Sequence, residues 1–324
     1  SHFVDHYIDM PVDLSEILFI ATANDLSEVS RPLLDRMEII EVSSYTKNEK
    51  LHIAKEHLVA KQLKKNGLTK KSVRFTDKAL AKIIDGYTME AGVRELERMI
   101  AAVLRKVVRK NYTVGGVNIE KQIVITDKNL SEYLGKVKFI KEKASRKNEV
   151  GIVRGLAWTA AGGDTLEIEV NVLGGKPELI LTGNMGDVMR ESAQIALSYV
   201  RSVVRKNQIF EENAIHIHIP EGAVPKDGPS AGITMATAIY SAVTGKPVDA
   251  STAMTGEVTL RGRVMPIGGL KEKLLAAKTA GLNRVLVPLE NKSDVEELEE
   301  EIVQGLEIVY VSDMKEVLKL AIVK

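Results

Sequence analysis

Two short stretches hold residue types that could do chemistry together. In Pro225-Lys226-Asp227-Gly228-Pro229-Ser230-Ala231-Gly232, prolines and glycines restrict a loop that stops at one serine, and the apolar run AGITMATAIYSAV follows as a buried helix. Ser230 then stands at or next to a helix N-cap. Unpaired backbone N–H groups and the positive end of the helix dipole can stabilise an oxyanion forming beside its hydroxyl. The same features make serine an ordinary cap, so the turn by itself leaves both readings open.

A nucleophilic serine needs a base. Of six histidines, only His216 and His218 lie near Ser230 in sequence. They share one face of the strand-like IHIHIP, opposite the isoleucines, and read most simply as satisfied strand side chains. A His-x-His pair has no evident third ligand, so no metal is expected. Lysine is the other candidate. Gly268-Gly269-Leu270-Lys271-Glu272-Lys273 opens a helix through paired glycines, and LLAA follows Lys273. Burial there would lower the amine's pKa and leave it able to take the serine proton. Lys271, two residues earlier, points elsewhere on the helix. The plain alternative is a pair of solvated lysines.

The elements that must carry these residues fall into two grammars. From about Thr46 to about residue 140 the pattern is helical: NEKLHIAKEHLVAKQLKK and VRELERMIAAVLRKVVRK repeat apolar residues at helical spacing. Two similar units, VRFTDKALAKIIDGY and IVITDKNLSEYLG, each read as a short extended piece, a Thr-Asp cap at Thr76 or Thr126, and a helix. Residues 141–149, KEKASRKNE, read as a charged linker. Beyond it, TLEIEV, ELILTG, AIHIHIP and RVLVPL read as strands. They alternate with helices in DVMRESAQIALSYVRSVV, SAGITMATAIYSAV, LKEKLLAAKTAG and MKEVLKLAIV, which predicts an α/β domain. MTGEVTLRGRVMPIGG reads as two strands turning at Arg261-Gly262. Near the start, ILFIATA (17–23) has the look of a buried strand.

Composition narrows the function classes. The 324 residues are 44% hydrophobic and 27% charged, the balance of a soluble globular chain of two or three domains. A net charge of +1 demands neither nucleic acid nor membrane as partner. The absence of cysteine removes disulfides, thiolate metal sites and cysteine nucleophiles. No apolar run spans a bilayer, and the first residues lack a signal-peptide plan, so a cytoplasmic location is expected. The P-loop pattern G-x-x-x-x-G-K-[ST] does not occur, so no P-loop of this chain's own cradles a nucleotide triphosphate.

PKDGPSAG followed by MTGEVTLRGRVMPIGGLKEKLLAA strongly resembles the proteolytic domain of the Lon family, ATP-dependent AAA+ serine proteases. GDVMRESAQIALSYVRS and GLAWTAAGGDTLEIEV are similar too, and the likeness extends to the N-terminus. The resemblance implies an α/β Lon proteolytic fold over residues 150–324. Before it would come the linker at 141–149, a mainly helical AAA+ lid over 43–140, and the end of an AAA+ α/β core over 1–42. It implies a Ser–Lys dyad with Ser230 as nucleophile and Lys273 as general base, Thr255 holding the amine, and Glu257 in support. Asp227 is expected to pair with Lys273 in an inactive form of the loop. FIATAN, RPLLDRMEII and AGVRELER would make Asn24 a sensor-1 residue, Arg36 an arginine finger and Arg94 a sensor-2 arginine. Peptide cleavage would need no cofactor. ATP and Mg2+ would belong to the full-length protein, since the Walker segments and the N-terminal substrate-recognition domain are missing from this piece. Unfolded or tagged proteins would be the substrates and a homo-hexamer the assembly, with no membrane partner. Weak DNA binding would draw on the basic KKNGLTKKSVR and LRKVVRK, which lack interleaved aromatics and read first as solvated helix faces.

Overall fold

The computed structural model describes residues 3–323 except 6, 24–25, 27–28, 41, 43, 114–115, 118, 140–146, 160–161, 205–207 and 223. Most of the expected linker therefore lies outside the described residues. The chain divides into two compact units, Ser1–Ser43 and Ser44–Lys324. The first holds an antiparallel hairpin of Phe3–Asp5 with Met10–Val12 and a one-turn helix, Arg31–Leu34. The strand expected at 17–23 does not form: these residues have no sheet partner among the described residues, and Leu18, Phe19 and Ile20 are exposed. An apolar run becomes a buried strand only where neighbours supply the ladder and cover both faces.

The second unit opens with the helical region. Thr46 caps Lys47–Ile53 through a full capping box with Glu49, and the helical path continues to Lys65 through a π-helical turn at Ala54–Leu58. Thr76 caps Asp77–Gly86, and Arg94–Lys110 is the long amphipathic helix. The two similar units are joined directly: Val73–Phe75 and Ile123–Ile125 pair in parallel. The second cap shifts. Thr126 and Asn129 exchange hydrogen bonds across a turn, and the helix starts at Leu130. Leu80, Ile83, Leu96, Ile100 and Leu104 form the core of this region.

From Ile152 the chain builds a seven-stranded sheet. Its strands are β1 (Ile152–Thr159), β2 (Gly162–Gly174), β3 (Leu179–Thr182), β4 (Asn213–His218), β5 (Thr252–Met254), β6 (Arg284–Pro288) and β7 (Glu307–Val311). The order is β7-β6-β5-β1-β2-β4-β3. Every strand runs the same way except β2, which is antiparallel to both β1 and β4. Helices α1 (Asp187–Val203), α2 (Gly232–Thr244) and α4 (Met314–Ala321) share one core with Val153, Ile168, Ile215, Ile217, Met254 and Leu286. Helix α3 (Leu270–Thr279) packs with Leu156, Ala253, Val285 and Val287 into a separate core. Adjacent residues of β5 and β6 thus enter different cores, as the pleat requires when both faces are covered. Helix α2 is apolar nearly all round and is buried accordingly. No helix among the described residues is long and apolar enough to cross a membrane.

Candidate active site

The PKDGPSAG segment enters α2 through one 3-10 turn, Pro229–Ala231, with Gly228 at φ +121°, a backbone setting that favours glycine. Ser230 sits half-buried in that turn. Its carbonyl accepts the Gly256 N–H at 2.8 Å and the Thr255 hydroxyl at 3.3 Å, and Gly256 in turn accepts the Ile233 N–H at 3.1 Å. These partners lie just past the last residue of β5. The nucleophile candidate is therefore fixed to the carboxyl end of a parallel strand, where open α/β sheets bind ligands.

Lys273 reaches the same end from the other face. At Gly163 of β2 the α3 backbone approaches so closely that a Cβ would overlap the Glu272 carbonyl and crowd the Lys273 nitrogen. Gly163 pairs with Trp158, at the carboxyl end of β1, and β1 is the strand beside β5. Lys273 is 3% exposed. Burial pulls its pKa from 10.5 down to about 8, with the neighbouring Glu272 carboxylate opposing the shift. Among the described residues nothing hydrogen-bonds to its amine, and no hydrogen bond joins it to Ser230 Oγ. Lys271 points away and pairs with Glu299 at 3.7 Å. Glu272, which sequence reasoning passed over, is buried and accepts the Ser44 hydroxyl at 3.0 Å.

Two expected contacts with Lys273 are not made among the described residues. Thr255 is fully buried, but its hydroxyl donates to the Ser230 carbonyl and not to the lysine. Asp227 makes no ion pair with Lys273 among the described residues. Its Oδ1 accepts the N–H groups of Met189 and Gly228, both at 2.9 Å. The otherwise unpaired N–H groups at the start of α1 satisfy the carboxylate. His216 and His218 both contact the Thr182 hydroxyl, at 2.9 and 2.7 Å, which leaves them satisfied within the strand layer. Glu257 is half-buried at the start of a small hairpin, paired with Met265 across the turn at Gly262. Lys226, also unremarked in the sequence, is buried and ties the loop together by donating to the carbonyls of Glu221 and Val224.

A cavity of about 460 Å³ lies between β3 and α1, lined by Leu179, Leu181, Arg190 and Leu197 among others, and none of the residues above lines it. Among the described residues, no cluster of three or more His, Asp or Glu could hold a metal. Arg36 follows the one-turn helix of the first unit and Arg94 opens the long helix of the second, both exposed; Asn24 lies outside the described residues.

Residues 124–324 match the family model described as the Lon protease (S16) C-terminal proteolytic domain, and residues 64–116 match the Lon protease AAA+ ATPase lid domain. The chain belongs to the Lon protease family. It is 57% identical to a Lon protease of Lachnoclostridium phytofermentans, over 99% of this chain and 45% of that protein. It is 55% identical to a Lon protease of Bacillus thuringiensis, over 99% of this chain and 41% of the relative. Lon protease 1 of Bacillus subtilis is 52% identical over the whole chain and 42% of its own length. The chain thus spans less than half the length of the curated relatives it matches. The matched regions agree with an α/β proteolytic domain preceded by a helical lid.

Proposed function

We propose that this chain carries the peptide-cleaving centre of an ATP-dependent Lon-type serine endopeptidase, with Ser230 as nucleophile and Lys273 as general base. The observation that carries the reading is Lys273: a buried residue whose amine has no hydrogen-bond partner among the described residues, its pKa pulled down to about 8 by burial, at the sheet end to which Ser230 is fixed. A solvated helix lysine has none of these properties.

In this mechanism the neutral amine of Lys273 accepts the Ser230 proton while Oγ attacks the scissile carbonyl. Backbone N–H groups at the turn entering α2 stabilise the oxyanion. The resulting ammonium protonates the leaving amine, and water, deprotonated by the regenerated amine, hydrolyses the acyl-enzyme. The two side chains are not hydrogen-bonded in this state, and proton transfer needs them within hydrogen-bond reach. Thr255 acts by fixing the Ser230 backbone, and Glu257 adjoins the same turn.

The test is direct. Ser230→Ala and Lys273→Ala each abolish hydrolysis of a fluorogenic peptide, and His218→Ala does not. Full activity in Lys273→Ala would sink the dyad. For the whole protein the reading adds ATP and Mg2+ at an AAA+ module, with Asn24, Arg36 and Arg94 sensing nucleotide. It also adds a homo-hexamer, cytoplasmic location, and unfolded or tagged proteins as substrates. The proposed boundaries are 1–42, 43–140, 141–149 and 150–324. Light scattering of this chain tests the assembly, and salt-dependent binding to duplex DNA tests a role for the basic lid segments.

A further inference from the structure

Helix α1 begins without a cap of its own. Its N-cap is Gly186, which has no side chain to accept the first N–H groups. The acceptor comes from a distant part of the chain: Asp227 Oδ1 receives the Met189 N–H at 2.9 Å. A Cβ on Gly186 would overlap the Asp227 carboxyl group, so the glycine is what leaves room for it. The same oxygen also receives the Gly228 N–H, which restrains the loop two residues before Ser230.

Two further contacts extend this seam. The Gly186 N–H donates to the Lys226 carbonyl at 2.8 Å, and the Ser192 hydroxyl donates to the Pro229 carbonyl at 3.4 Å. Gly186, Met189 and Ser192 follow at steps of three, so they lie along one side of α1. They hold, in order, residues 226, 227 and 229.

We infer that Asp227 is the positioning residue for the nucleophile: its carboxylate supplies the N-cap that α1 lacks and so fixes the turn that presents Ser230. The inference rests on Ser230 being the nucleophile, as proposed above. It also separates Asp227 from the base. The carboxylate acts on the serine turn through α1 and not on the Lys273 amine.

The test uses the full chain. Asp227→Ala, Asp227→Asn and Gly186→Ala are compared with the parent for kcat and KM on a fluorogenic peptide, normalised to sites titrated by a serine-reactive phosphonate. Losing the cap loosens the turn without touching substrate. We expect Asp227→Ala and Gly186→Ala each to lower kcat per titrated site about tenfold with KM little changed. The double variant should be no worse than either single one, because both remove one interaction. Asp227→Asn, whose amide oxygen still accepts both N–H groups, should recover most of the rate. A merely structural role would lower the titrated fraction and leave kcat per site alone. Unchanged kcat per site in Asp227→Ala, or an Asp227→Asn variant as impaired as Asp227→Ala, overturns the inference. Amide exchange is measured separately in the Ser230→Ala chain, where catalysis plays no part. There the Met189 N–H should exchange faster once Asp227 is also replaced by Ala, and equal exchange overturns the cap. That arm stands even if the dyad reading fails, so the two failures are distinguishable.

Discussion

Replacing Lys273 by Met should stabilise the protein while abolishing cleavage. Burial pulls the amine from 10.5 to about 8. The unfolded chain therefore keeps this proton up to about pH 10.5, whereas the folded chain gives it up near 8. Between those values the unfolded state binds more protons, so this group's contribution makes stability rise with pH across the window. Below about pH 8 the whole penalty applies. A shift of about 2.5 units is worth about 3 kcal/mol, an upper figure because water and small movements relax a buried charge. Methionine has a similar length and no charge to desolvate. The variant should gain about 1–3 kcal/mol at pH 7, and the gain should shrink toward zero near pH 10.5. Urea unfolding can be followed through Trp158, the only tryptophan, whose ring packs against Gly269 at the start of α3. Parent and variant are compared at pH 7, 8.5 and 10. A methionine variant that is less stable at pH 7, or a gap that does not change with pH, would refute the buried-ammonium argument.

The same shift sets the pH–rate profile: kcat/KM should rise with unit slope and level off above an apparent pKa of about 8. At pH 7 that leaves roughly one lysine in ten neutral, against about one in three thousand for an unshifted side chain. A flat profile from pH 6 to 9 would count against Lys273 as base. Tyr199→Phe should leave stability unchanged or raise it by up to about 1 kcal/mol, since the Tyr199 hydroxyl is buried with no partner among the described residues. Thermal unfolding checks this. Gly163→Ala should push α3 off β2, lowering both stability and peptide cleavage, whereas Thr46→Ala removes a helix cap in the lid at about 1 kcal/mol and should spare peptide cleavage.

The strands and helices of the proteolytic region were largely legible because each sheet face has its own core, so runs such as ELILTG and RVLVPL stayed strongly patterned. Helix α2 announced itself by being apolar all round. The site was legible as residue types, Ser230 and Lys273, but not as contacts. Nothing in PKDGPSAG says that Asp227 turns to α1, because its partner N–H, that of Met189, lies 38 residues earlier in the chain. The spacing of Gly186, Met189 and Ser192 in GDVMRES is the signal that was present, and backbone donors leave no mark on composition. ILFIATA failed for the opposite reason. Its composition suits a strand, but strand formation depends on neighbours that pattern alone does not supply.

The serine and the lysine ride helices that serve different cores, so the sheet would separate them anywhere along its length. They can meet only where the intervening strand stops. β5 is three residues long; Thr255 still donates its N–H to the Leu286 carbonyl of β6, while its hydroxyl and the Gly256 N–H bond the Ser230 carbonyl, and Gly256 also takes the Ile233 N–H. A side chain at Gly256 would crowd Val264 and Ile233, so that exit is closed to larger residues. The end of this strand thus holds the serine of the proposed dyad. Carrying the ladder on through Gly256 would pull its backbone away from Ser230. The lysine would stay just as buried, with no serine hydroxyl held at the strand end to give it a proton.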